Sequence, residues 1–162
     1  MKQFLLILVV GIVTLINGAD LTWSGFGDGY ALVKAKKKPA IIDFYTDWCM
    51  WCKTMDEKTF HDPLVMSKLK KEFVTMRINP ETSKETINFD GKSFTPAQFA
   101  QALGVQGYPA IAFMDGNGQF IALVPGYSPP DKFLDMLTYV KDECYTKKVT
   151  MEEWTKKGKK CK

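Results

Sequence analysis

Ala40-Ile41-Ile42-Asp43-Phe44-Tyr45-Thr46-Asp47-Trp48-Cys49-Met50-Trp51-Cys52-Lys53 runs from an apolar segment directly into two cysteines separated by two residues. The nearly continuous apolar run Ala40 to Tyr45 suits a strand covered on both faces, which leaves Asp43 as a charged residue inside a core pattern. Met50 to about Thr59 spaces Trp51 and Met55 as a helix does, so the dithiol falls at a strand-to-helix junction. Thiolate is the reactive form of cysteine, and the free N–H groups of a helix start stabilise it. Cys49 is therefore assigned to attack and Cys52, about one turn in, to resolve. Resolution requires Cys52 to lose a proton. Asp43 and Asp56, one turn after Cys52, are the candidate acceptors.

Outward from this stretch, the pattern alternates strands and helices. Tyr30 to Lys37 reads as a short helix ended by Pro39. Asp62-Pro63 caps a helix with Leu64, Val65 and Leu69, and Phe73 to Ile78 reads as a strand. Asn79 to Phe94, with Asp90-Gly91, is a long loop or small hairpin. Thr95-Pro96 starts a helix that Gly104 closes. Ala110 to Met114 and Gln119 to Val124 flank Asp115-Gly116-Asn117-Gly118, a hairpin signal. Pro130-Asp131 opens a helix expected to carry Phe133, Leu137, Val140 and Cys144, and Thr150 to Glu153 has the form of a capping box before Trp154. The class is α/β, a central mixed sheet with helices on both faces and an extra C-terminal helix.

The 162 residues, 46% hydrophobic and 25% charged, suffice for one core. Lys2, the apolar run Phe4 to Val13, Leu15-Ile16 and Gly18-Ala19 follow the order of a signal peptide, since the run falls short of the roughly 20 residues of a membrane span. An uncleaved anchor is the alternative. The expected division is 1–19 leader, 20–145 domain and 146–162 helical, basic tail. A periplasmic location follows, in which disulfides persist. The net charge of +4 gathers in the tail Lys156 to Lys162 and accompanies no nucleic-acid motif.

Other uses of the Cys49/Cys52 pair weigh less. Zinc wants a second close pair, haem attachment wants His where Lys53 stands, and copper binding finds no feature that aims Met50 at a metal. No metal or cofactor is expected. Cys144 is open to three readings: a buried small side chain, a bridge to Cys161, or a redox relay. Trp48 and Trp51 flank the nucleophile as a collar for peptides. Trp23 and Trp154 read as packing, and His61 as a loop residue.

Asp43 to Lys53 closely resembles the active site of thioredoxins. Gly107-Tyr108-Pro109-Ala110 resembles their cis-proline loop, and Gly126 the glycine after their last strand; the resemblance spans about residues 28 to 141. Cys52-Lys53-Thr54-Met55-Asp56, Thr59-Phe60 and Asp62-Pro63 are similar to the C-terminal periplasmic domain of DsbD. The insert through Phe89-Asp90-Gly91-Lys92, together with Pro125 to Phe133 and Tyr139-Val140, is similar to exported SoxW-type thioredoxins. The resemblance implies a thioredoxin fold and thiol-disulfide oxidoreductase activity. It makes Asp43 the buried acid, Asp56 the acid after the dithiol helix, Pro109 the proline facing the cysteines and Tyr108 a substrate contact. It also implies disulfide-bearing exported proteins as partners, a DsbD- or CcdA-like membrane conductor as the source of electrons, and a monomer. Met50-Trp51 stands where thioredoxins usually carry Gly-Pro, and Tyr45 where they carry tryptophan. These changes leave reductase as the first reading, oxidase or isomerase as the second, and a non-catalytic copper- or sulfur-binding module as the third.

Overall fold

The computed structural model describes residues 20–161, so the leader expected at 1–19 lies outside the described residues. Along the chain come α1 (Phe26–Lys36), β1 (Ala40–Phe44), α2 (Met50–Met55), a π-helical turn (Asp56–Phe60), α3 (Pro63–Glu72) and β2 (Val74–Ile78). Then follow β3 (Ile87–Phe89), β4 (Lys92–Phe94), α4 (Pro96–Ala102), β5 (Ala110–Met114), β6 (Phe120–Pro125), α5 (Pro130–Lys141), a 3-10 turn (Cys144–Lys147) and α6 (Met151–Lys156). The main sheet has the order β2-β1-β5-β6, with β1 parallel to β2 and antiparallel to β5, and β5 antiparallel to β6.

Alternation along each strand divides the core in two. Ile42, Phe44, Met76, Ile78 and Ala112 pack with Phe26 and Val33 of α1 and Phe99 of α4. On the opposite face Ile41, Ile111 and Phe113 pack with Met55, Val65, Leu69, Phe133 and Leu137. Asp43 and Arg77 occupy facing positions of β1 and β2, so both side chains leave the sheet on this second face, under the π turn.

α1 starts at Phe26, earlier than the sequence pattern indicates, despite glycines at 25, 27 and 29. Tertiary contacts overcome the weak propensity of glycine here. The Phe26 N–H donates to Glu85 Oε2 at 3.0 Å, and the Phe26 ring meets Phe99 edge-on at 4.8 Å. The Met76 side chain fills the space that a Cβ at position 29 would need. Asn79 to Phe94 contains a hairpin, turned by Asp90 and Gly91 in left-handed conformation (φ 51° and 72°) as a type I′ connection demands. It presents Ile87, Phe89 and Phe94 to the first core cluster.

The expected placement of Cys144 on the last long helix is corrected: α5 ends at Lys141, and Glu143 turns left-handed (φ 54°) before the 3-10 turn. Cys144 is buried there and bridged to Cys161, with Cα atoms 5.2 Å apart. The bridge seals a small cluster of Val149 and the fully buried Trp154, whose ring meets Tyr139 edge-on at 5.8 Å. Thr150 and Glu153 form the capping box that starts α6. A bridge of this span contributes on the order of 3 kcal/mol. Cys161→Ser is therefore expected to speed amide exchange in α6 by roughly 100-fold while β1 and β5 keep their protection. Unchanged exchange in α6 would show that packing alone holds the tail.

Candidate active site

β1 runs out at Phe44, and the loop through Thr46 to Trp48 delivers Cys49 to the N-cap of α2. The Cys52 N–H donates to Cys49 Sγ at 3.1 Å, so the sulfur that caps the helix sits against one of its free amide donors. The two cysteines are joined as a disulfide with Cα atoms 5.3 Å apart. Exposure does not separate them, at 4% for Cys49 and 5% for Cys52; their places on the helix do.

Around this buried pair stands an apolar rim. Trp48 is 68% exposed, Met50 70% and Trp51 60%. Trp48 is held in place: its indole N–H donates to Glu81 Oε2 at 2.9 Å, and its ring lies 6.2 Å from that of Tyr108. Trp51 leans on Tyr127 at 5.6 Å. Trp51, Tyr108, Pro109, Gly126 and Tyr127 line a shallow groove of about 250 Å³. The Tyr108-Pro109 peptide is cis. Gly126, at φ +80° where glycine is the unstrained residue, donates its N–H to the Pro109 carbonyl at 2.8 Å and fixes the groove floor. Cys49, Cys52, Trp48, Trp51, Tyr108 and Pro109 thus fall on one side of the molecule around the start of α2.

Asp43 and Asp56 form a second group with a residue that the sequence reading missed, Arg77. Arg77 Nε donates to Asp43 Oδ2 at 2.9 Å, and its Nη2 reaches both Asp43 Oδ2 at 2.8 Å and Asp56 Oδ1 at 2.5 Å. Its guanidinium lies under the rings of Trp23 at 4.3 Å and Tyr45 at 4.9 Å, within cation–π range. Trp23, read from sequence as packing, covers this charge. A signal for Arg77 was present: a lone cation in the strand pattern Val74-Thr75-Met76-Arg77-Ile78, matching a lone acid in Ala40 to Phe44. What was missing was the register that sets them opposite one another.

Asp43 is 2% exposed, and its Oδ1 has no hydrogen-bond partner among the described residues. Burial raises its pKa to about 6, only partly opposed by Arg77. For Arg77, burial disfavours the charge, but the two carboxylates outweigh it and hold the guanidinium protonated. Asp56 is partly exposed. His61 ends the π turn, with Nδ1 2.6 Å from the Asp56 carbonyl oxygen and Nε2 3.7 Å from Asp20.

The family model for a thioredoxin-like domain matches residues 26–141. The chain belongs to the thioredoxin-like domain family. It is 35% identical over 107 residues to the thiol:disulfide interchange protein DsbD of Vibrio vulnificus, an alignment that covers 65% of this chain and 16% of that protein. The chain therefore corresponds to a small part of that relative. A thioredoxin-fold protein from Helicobacter pylori superposes with a TM-score of 0.64 at 23% identity, over 80% of this chain and 91% of that one. The oxidised C-terminal domain of Neisseria meningitidis DsbD superposes with a TM-score of 0.50 at 23% identity, over 68% and 86%. At such identities these two likenesses concern the fold. Within the family frame, this thioredoxin-like domain carries Cys49-Met50-Trp51-Cys52 as the dithiol of a thiol-disulfide oxidoreductase.

Proposed function

We propose that this protein is an exported thioredoxin-like reductase that acts on disulfides of other exported proteins and is recharged by a membrane thiol conductor. The observation that carries the reading is Cys49 at the N-cap of α2 with its sulfur on the Cys52 amide, inside an aromatic rim. In the forward cycle, the Cys49 thiolate attacks a substrate disulfide, forms a mixed disulfide and expels one substrate thiolate, which takes up a proton. Cys52 then gives its proton to a base and attacks Cys49 Sγ. The second substrate thiolate leaves and is protonated, and two electrons have passed from the dithiol to the substrate. Asp43 is the proposed base, because it is a buried carboxylate with an unengaged oxygen on the face covered by α2 and the π turn.

The direction of electron flow rests on the dipeptide between the cysteines. Met50 and Trp51 bring no cation or imidazole to favour the reduced dithiol, so the pair retains reducing power. Export is supported by the apolar run Phe4 to Val13, and the Cys144–Cys161 bridge fits an oxidising compartment. Among the described residues, no helix is long and apolar enough to cross a membrane.

Reduction of insulin with dithiothreitol as donor tests the reading; no acceleration over dithiothreitol alone would remove it. The groove supplies a separate expectation for the peptide side. Trp51→Ala removes an exposed ring on the groove wall and should raise KM for a peptide disulfide by about tenfold with little change in kcat. Alkylation of Cys49 by a small reagent should be unaffected. A fall in kcat at constant KM would place Trp51 in the chemistry instead.

A further inference from the structure

The loop that follows β2 brings a carboxylate to the rim of the dithiol. Asn79 is buried, and its Oδ1 accepts from the Glu81 N–H at 3.0 Å and the Thr82 N–H at 3.3 Å. The Ser83 N–H donates to the Asn79 carbonyl at 3.0 Å and closes the turn. The backbone of Glu81 is thereby fixed, and its side chain accepts from the Trp48 indole N–H through Oε2 at 2.9 Å. Trp48 directly precedes the attacking Cys49, and its ring meets edge-on that of Tyr108, which borders the groove beside Pro109. Tyr108 faces the same carboxylate: burial raises the pKa of its hydroxyl first, and the Glu81 charge raises it further.

Only part of this carboxylate is used. Glu81 is exposed, and among the described residues its Oε1 makes no hydrogen bond and no cation pairs with it. The cations closest in sequence are engaged elsewhere: Arg77 holds Asp43 and Asp56, and Lys84 lines a separate hollow with Glu85 and Gln98. A carboxylate beside the rings of Trp48 and Tyr108 is a set of groups that receives a guanidinium or ammonium. The oxygen accepts its hydrogen bonds, and the ring faces attract its charge. The chain uses that set once already, where Arg77 lies against Trp23 and Tyr45 and binds two carboxylates. The other wall of the groove, Trp51 and Tyr127, brings no charged group.

We propose that Glu81 sets substrate specificity: it receives the side chain of an arginine or lysine that flanks the substrate cysteine, against the rings of Trp48 and Tyr108. The inference rests on the reductase reading and names the class of peptide disulfide that the site takes. Arginine fits better than lysine, because its plane can lie on the indole while it donates to Oε1. A glutamate at the same substrate position meets Glu81 as a like charge and is disfavoured. The chain carries a net charge of +4, so a preference for a basic substrate must come from this local carboxylate and not from the overall field. The site is open to water. Exposed ion pairs and exposed cation–π contacts are each small, and together they give roughly a fivefold preference that falls with added salt.

Peptide disulfides that differ only in the residues flanking the cysteine, with arginine, methionine or glutamate there, supply the test. At low salt the wild-type chain should reduce the arginine peptide with a kcat/KM roughly fivefold above that of the methionine peptide, and the glutamate peptide should be slowest. Glu81→Gln keeps an acceptor for the Trp48 indole and the backbone bond to Asn79. It should remove the arginine advantage and change the methionine peptide by less than about twofold. Glu81→Lys should invert the order of the arginine and glutamate peptides. Equal rates for the three peptides in wild type, or an arginine preference that survives Glu81→Gln, overturn the proposal. Insulin reduction by the wild-type chain reports separately on the reductase reading, and the same peptides supplied as dithiols to the oxidised chain report selectivity in the other direction. A chain that reduces insulin without selectivity loses only the role of Glu81. An arginine preference in peptide oxidation by a chain that does not reduce insulin loses only the direction of electron flow.

Discussion

Cys52→Ser is expected to turn the protein from a catalyst into a trap. Cys49 keeps its place at the N-cap of α2 and the amide of residue 52 keeps its N–H, so attack on a substrate disulfide proceeds. The intermediate then has no internal thiol to displace the substrate. Turnover should fall by roughly a thousandfold or more, the usual consequence of removing one member of a catalytic unit. Covalent adducts should accumulate, and non-reducing electrophoresis with mass spectrometry reads them directly. Cys49→Ser should be equally inactive but form no adduct. Adducts from Cys49→Ser with none from Cys52→Ser would reverse the roles of the two cysteines.

Asp43→Asn should slow the chemistry and change how stability depends on pH. Without the carboxylate, Cys52 must lose its proton to water, and resolution at neutral pH should drop by on the order of 100-fold. The first attack by Cys49 is left nearly intact, so a mixed disulfide should become visible during turnover. The stability effect has the opposite sign. In the folded protein Asp43 titrates near 6, against 3.8 when unfolded. Below 3.8 both states hold the proton, and between the two values only the folded state does. Stability therefore falls as pH rises through that window, by about 3 kcal/mol in total at about 1.4 kcal/mol per unit. Asparagine does not titrate and can still accept from Arg77, which also keeps Asp56. The stability of Asp43→Asn relative to wild type should therefore improve by about 3 kcal/mol between pH 3.5 and pH 7, measured by urea unfolding. A relative stability that is flat with pH would mean that Asp43 does not hold a proton in the folded state.

The frame of the site was legible because it is written locally. Strand Ala40 to Phe44, the dithiol at a helix start and the capped helices at Asp62, Thr95 and Thr150 all depend on residues close in sequence. What escaped depends on contacts across the sheet. Arg77 gains meaning only from its register with Asp43, and α1 reaches back to Phe26 only because Glu85 supplies the partner for its first amide. The π turn is of the same kind: Thr59 is tied to the distant Ser128 carbonyl at 2.7 Å, and no local pattern announces the widened turn. Cys144 looked like the next residue on a helical face, but the left-handed Glu143 had already ended that helix. Trp48 was readable as a rim residue, whereas the hydrogen bond to Glu81 that fixes it comes from a loop 33 residues away.

The reduction potential of the Cys49–Cys52 pair tests the proposed function most directly. Equilibration against glutathione buffers, read by thiol alkylation and mass spectrometry, should give a value near −270 mV, in the range of thioredoxin. A value well above about −180 mV, toward the strong oxidants near −120 mV, would contradict the reductase reading and make the same dithiol a donor of disulfides.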